Sequence, residues 1–141
     1  MLTGFEELRI RARSRGPLPV VLAAAQDEEA LRAVKAARDA GLAEPVLVGD
    51  ETLIRPLLSS VGLPADIRLI HEPEPAPAAL AAAKIVNGTE AGILMKGMVN
   101  SSDFLRAVLH PECGLRTNRL LCHLAAFEVP GMQFEQAEMP A

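Results

Sequence analysis

Tryptophan and tyrosine are absent, and the only aromatic side chains among the 141 residues are four phenylalanines. Half of the residues are hydrophobic, so the core must be built from Ala, Val, Leu and Ile. The aromatic platforms on which single-stranded nucleic acid stacks are missing. A basic excess is missing too: the formal net charge is −4, whereas nucleic-acid binders concentrate Lys and Arg. No nucleic-acid partner is expected.

Cysteine is scarce. Cys113 and Cys122 lack C-x-x-C spacing and make neither a disulfide framework nor a zinc site; a reducing, cytoplasmic location is the expectation. No apolar run reaches the roughly 18 residues of a membrane span, so no membrane partner is expected. The start, "MLTGFEELRIRARSRG", is rich in arginine. Glu6 and Glu7 argue against a transit peptide, which is poor in acidic residues, and the stretch reads as a surface helix with Phe5 and Leu8 facing the core. Catalytic signatures are also lacking: there is no P-loop, G-x-G-x-x-G, G-x-S-x-G or H-E-x-x-H. His71, His110 and His123 have no metal-ligand spacing, and no metal site is expected.

What is present is a regular alternation of short apolar runs and helical patterns. "PVVLAAA" (19–25) reads as a buried strand. The next stretch is a well-marked helix, with Asp27 as N-cap, Ala30, Val34 and Ala37 as its apolar stripe and Gly41 as C-cap. "PVLVG" (45–49) is a strand, and "ETLIRPLLSSV" (51–61) a helix that Pro56 weakens or bends. "IRLIHE" (67–72) alternates more, as a strand nearer an edge would. "PAPAALAAAKIVNG" (75–88) begins with prolines suited to a first helical turn. "GILMKG" is a fourth strand, "SSDFLRAVL" a helix, and "LLCHLAAFEV" (120–129) a fifth strand. This alternation predicts an α/β fold, three-layer α/β/α with a mostly parallel sheet. The domain is expected over 1–130 and an irregular tail over 131–141, so that the chain looks truncated.

In such sheets ligands sit beyond the carboxyl ends of the strands. That rule puts "VGDE" (48–51) and "KGMVNSSD" (96–103) on the functional edge. Lys96 ends a strand; Gly97 admits a ligand or backbone closely; Asn100, Ser101 or Ser102 can cap the helix that follows. The amino end of that helix offers free N–H groups and partial positive charge to an anion. Phe104 with Val108, and Leu105 with Leu109, would form its buried face, leaving Arg106 roughly opposite. Lys84, Lys96, Arg106, Arg116 and Arg119 stand against Glu90, Asp103 and Glu112, a local positive patch in an acidic chain. Each residue also has an ordinary reading: a serine N-cap, a solvated Lys96, a solvent-facing Arg106, Asp50 as a helix cap.

Read together, "LMKGMVNSSDFLRAVLHPECGLRTNRLLCHLAAFEVPG" (94–131) resembles the phosphate acetyl/butyryltransferase family, its butyryltransferase branch in particular. That branch has an L-M-K-G strand end, a small hydroxyl-rich cap, an (F/L)-L-(R/K)-A-V-L helix, G-L-R, and a strand with S-H-x-A-x-F before a proline. "DEEALRAVKAARDAGLAEPVLVGD" (27–50) resembles the family's early helix and V-G-(D/N) strand end. Cys122 departs from the usual serine before histidine.

The resemblance implies half of an isocitrate/isopropylmalate dehydrogenase-like fold, with the second domain absent. It implies transfer of an acyl group, butyryl or acetyl, between coenzyme A and inorganic phosphate. Coenzyme A is then a substrate, and no tightly bound cofactor is expected. Lys96, Gly97, Asn100, Ser101, Ser102, Arg106 and Arg116 would bind the anionic reactants. The catalytic cluster would lie beyond Ala141, leaving a fragment inactive alone. The expected partners are acyl-CoA or CoA, phosphate, and a second copy or a missing second domain. The rival expectation is a non-catalytic remnant domain that either binds CoA or phosphate or self-associates.

Overall fold

The computed structural model of the chain describes residues 4–113, residue 115, and the segments 122–127 and 135–140. Contacts divide the chain into Pro17–Arg116 and a second unit of Met1–Gly16 with Thr117–Ala141.

The larger unit alternates strictly. Its elements are β1 (Leu18–Ala23), α2 (Glu28–Asp39), β2 (Ala43–Gly49), α3 (Glu51–Val61), β3 (Leu69–His71), α4 (Pro75–Asn87), β4 (Ile93–Lys96) and α5 (Ser101–Val108); α1 (Phe5–Ser14) precedes them. The four strands are parallel in the order β3-β2-β1-β4. The alternating "IRLIHE" does supply an edge strand.

Strand side chains alternate between two cores. Val21 and Ala23 of β1, Val46 and Val48 of β2, Ile70 of β3 and Leu94 of β4 pack towards α4 and α5. Leu22, Leu47, Leu69 and Met95 pack with α2 and α3 on the other face. The sheet is therefore covered on both sides, as its near-continuous apolar strands require. From β1 through β3 the chain steps one way across the sheet with α2 and α3 on one face. It then passes back over β1 to β4 with α4 on the other, as a constant crossover hand demands. Leu22, Leu31, Leu47 and Ile54 are fully buried, each contributing roughly 1.5–3 kcal/mol.

Local chemistry agrees with this layout. Asp27 accepts from the Ala30 N–H at 3.2 Å, and Gly41, at φ +77°, turns the chain out of α2. Pro56 sits inside α3 without interrupting it, because Ile54, Leu58 and Val61 are buried along one face. In α4 the buried residues are Ala78, Ala79, Ala82, Ala83 and Val86, small enough to let the helix lie close to the sheet and to α5.

Three expectations are corrected. On α5 the buried residue is Ala107, with Phe104 packed beside it, whereas Leu105 and Leu109 are 42% and 39% exposed. A methyl group at position 107 allows approach to the alanines of α4, and that contact turns the leucines outward. In α1 no residue is buried and Leu8 is exposed; the Glu6–Arg9 and Glu7–Arg11 pairs run along its surface. Finally, β5 (Cys122–Phe127) is not a fifth strand of the parallel sheet. It pairs antiparallel with β6 (Glu135–Pro140), from Cys122↔Pro140 to Phe127↔Glu135. The tail expected to be irregular therefore holds a strand over 135–140, since a backbone ladder satisfies N–H and C=O groups whatever the side-chain pattern.

Candidate anion-binding site

The strand order locates the switch point of the sheet. Succession reverses between β1 and β4, and ligands of open parallel sheets bind outside the carboxyl ends of strands at such a switch point. The two loops meeting there are residues 24–27 after β1 and 97–100 after β4.

The loops are stitched together by backbone. Gly97 N–H donates to the Ala23 carbonyl at 2.8 Å, and Met98 N–H to the Ala24 carbonyl at 2.8 Å. A Cβ on Gly97 would meet the Ala24 carbonyl oxygen and lie 2.7 Å from that of Ala23. Gly97 is thus small for the sake of β1, the backbone alternative of the two open to it. Across β1, a Cβ on Gly49 would meet the Gln26 Oε1 and lie 2.8 Å from the Ala25 nitrogen. The end of β1 passes between two glycines. Ala24 there adopts φ +57°, unusual for a side chain with a Cβ, and is fully buried.

Capping of α5 falls to Asn100. Its Oδ1 accepts from the Asp103 N–H at 2.7 Å, while its Nδ2 donates to Asp103 Oδ2 at 2.9 Å. Val99 N–H is used by the Gly97 carbonyl at 2.9 Å. Ser101 and Ser102 are exposed, and among the described residues neither hydroxyl has a partner. The Lys96 side chain is likewise exposed and unpaired among the described residues.

Arg106 is 74% exposed and pairs with Asp103, Nη1 to Oδ1, at 2.9 Å. Such exposed pairs contribute about 0–1 kcal/mol and yield readily to a better anion. Lys96, Gly97, Asn100, Ser101 and Ser102 therefore share one β–α connection, with Arg106 joined to it through Asp103. Asp103 brings a carboxylate to the same helix start, so the patch is less positive than a count of cations suggests. Arg116 lies outside the described residues.

The neighbouring loop after β2 is occupied by structure. Asp50 caps α3, accepting from the Thr52 N–H at 3.0 Å and the Thr52 hydroxyl at 2.6 Å. The Thr52 hydroxyl bond holds its carboxyl below the ordinary carboxylate range, assisted by backbone N–H groups and His71, against a smaller opposing effect of desolvation. Gln26 Oε1 accepts from the Asp50 N–H at 3.2 Å, and His71 Nδ1 from the Glu51 N–H at 3.1 Å. Sequence reading passed over Gln26. Its position directly before a helix cap at a strand end was the available signal. Among the described residues no His, Cys, Asp and Glu cluster could hold a metal ion, and no helix is long and apolar enough to cross a membrane.

These features define a doubly wound α/β domain with exposed polar groups on the β4–α5 connection at its switch point. No family model matches the chain. It is 39% identical over 129 residues to the phosphate butyryltransferase of Clostridium acetobutylicum, covering 91% of this chain and 43% of that protein. It is 29% identical over 128 residues to the phosphate acetyltransferase of Rhizobium meliloti, covering 90% and 40%. Among solved structures, a branched-chain phosphotransacylase from Enterococcus faecalis V583 superposes with TM-score 0.67 at 22% identity, over 86% of this chain and 42% of the other. The chain is thus similar to proteins named as phosphate butyryl- and acetyltransferases, and it spans less than half the length of these relatives.

Proposed function

We propose that the crevice beyond β1 and β4 binds a phosphate group, inorganic or in the pyrophosphate of coenzyme A, as one wall of an acyl-transfer site. The reaction is acyl-CoA plus phosphate giving acyl phosphate plus CoA, with a butyryl or acetyl group carried across. A phosphate oxygen attacks the thioester carbonyl and the CoA thiolate departs. The residues described here would hold and orient the anions; no catalytic residue is assigned among them.

One observation carries this reading. Among the described residues the hydroxyls of Ser101 and Ser102 have no partner, because Asn100 caps the helix, and Lys96 at the end of β4 is unpaired too. Hydroxyls and N–H groups at a helix amino end suit a phosphate. Arg106, weakly held by Asp103, can exchange onto it and adds charge-assisted bonds. The names of the relatives favour the same chemistry.

A second domain or another copy of the chain would complete the crevice, so the 141 residues alone bind but do not turn over. Titration with coenzyme A and with phosphate by calorimetry, alongside an assay of acyl phosphate from butyryl-CoA, tests both halves. Binding lost in the Ser101→Ala/Ser102→Ala variant is the expected result. Equal binding in that variant overturns the site, and robust turnover overturns the need for a second lobe. The rival reading, a self-associating remnant, draws on the exposed Ile93, Met98, Leu105 and Leu109. It predicts a concentration-dependent oligomer that ignores both ligands.

A further inference from the structure

At the opposite, amino-terminal edge of the strands lies a groove of about 440 Å³, within the range of small-molecule sites. Its origin is legible in the backbone. Along β2 and β3 the Leu47 N–H donates to the Arg68 carbonyl and the Glu72 N–H to the Gly49 carbonyl, both at 2.9 Å. The next bond of that series would run from the Arg68 N–H to the Pro45 carbonyl, and it is not made among the described residues. Pro45 has no N–H with which to continue the ladder. The chain before β3 peels away from β2 at that point, leaving a backbone donor and a backbone acceptor open beside the groove.

The groove is amphoteric. Val21, Val46, Ile67 and Ile85 give it an apolar lining, and Arg38, Arg68, Glu44 and Asp66 stand around it. None of these four charged side chains has an ion-pair or hydrogen-bond partner among the described residues. Elsewhere on the same helix Arg32 and Lys35 are each paired one turn away, with Glu28 and Asp39. Two free guanidinium groups select a carboxylate. Two free carboxylates beside them disfavour a dianion and favour a ligand that also carries an ammonium group.

We propose that this groove binds a short peptide with both ends free, of dipeptide size. Its carboxylate is taken by Arg38 and Arg68, and its ammonium by Glu44 and Asp66. Its amide continues the interrupted ladder between the Arg68 N–H and the Pro45 carbonyl, and an apolar side chain rests on the partly buried Ile85. This site is separate from the anion crevice and independent of the reading offered for it.

The test is a titration of the 15N-labelled 141-residue chain with alanyl-leucine, its N-acetyl form, its carboxamide and inorganic phosphate, followed by amide shifts. The expected result is saturable movement of the Arg68 and Val46 amides with the free dipeptide, and binding about tenfold weaker or worse for each blocked form. The Arg38→Ala/Arg68→Ala variant should lose the response and Glu44→Gln should weaken it, both with unchanged circular dichroism. No saturation at millimolar dipeptide, equal binding of the blocked forms, response to phosphate alone, or full binding in the double-arginine variant would each overturn the proposal.

Discussion

The amide of Gly97 donates to the carbonyl of Ala23 at 2.8 Å, so the loop after β4 is pinned to the end of β1 at the point where the sheet reverses its order. A second backbone bond, from the Met98 N–H to the Ala24 carbonyl at 2.8 Å, fixes the same loop just before α5. A fixed loop of this kind would serve the proposed anion site, because misplacement of a bound reactant is costly in rate.

Gly97→Ala tests the pin. The added methyl meets two backbone carbonyls, which cannot rotate aside as a flexible side chain could. A loss of about 1–3 kcal/mol is expected, read as a lower urea midpoint with unchanged slope. A midpoint equal to that of the natural chain would mean that the β1–β4 junction yields easily.

Capping and binding separate on α5. Asn100→Ala should cost about 1 kcal/mol of stability, the usual worth of an N-cap. Ser101→Ala and Ser102→Ala should stay within about 0.5 kcal/mol of the natural chain while weakening coenzyme A or phosphate binding. Thermal denaturation with and without ligand distinguishes the two; a serine variant as destabilised as Asn100→Ala would return the serines to capping.

Arg106→Ala removes an exposed pair with Asp103, so unfolding free energy should move by no more than about 1 kcal/mol. Ligand affinity should fall by about 1.5–3 kcal/mol, as for a hydrogen bond to a charged group. Calorimetry on both proteins checks this, and unchanged affinity would leave Arg106 as a solvent-facing residue.

Asp50 supplies a pH signature. Its folded-state carboxyl titrates below its ordinary value of 3.8, so ionisation favours the folded chain. That contribution is present above the ordinary value and fades as pH falls through the lower folded-state value. Asp50→Asn should therefore be less stable than the natural chain near neutrality, and the two melting curves should converge in acid. Parallel curves down to the acid limit would show that the carboxylate charge is irrelevant.

Much of the fold was legible in the sequence. Asp27, Gly41, the prolines opening α4 and Asn87-Gly88 mark helix ends through local backbone chemistry, and strand parity follows from a period of two. The site was legible in part. Lys96, Asn100 and the two serines fall on one β–α connection because they adjoin in sequence. Which of Asn100, Ser101 and Ser102 caps the helix was not readable, since all three can accept the same N–H and only the loop's path from Gly97 selects among them. The outward leucines of α5 were missed because its buried face depends on the alanines of α4.

The sequence by itself determined the alternation of strands and helices, the aliphatic core and the polar stretch from Lys96 to Ser102, all of which depend on neighbours a few residues apart. Only the tertiary structure decided that Gly97 and Gly49 exist to admit β1, that β5 pairs with β6, and that Pro45 opens a charged groove at the far edge. Those outcomes are contacts between segments distant in the chain, and no local pattern encodes which surfaces meet.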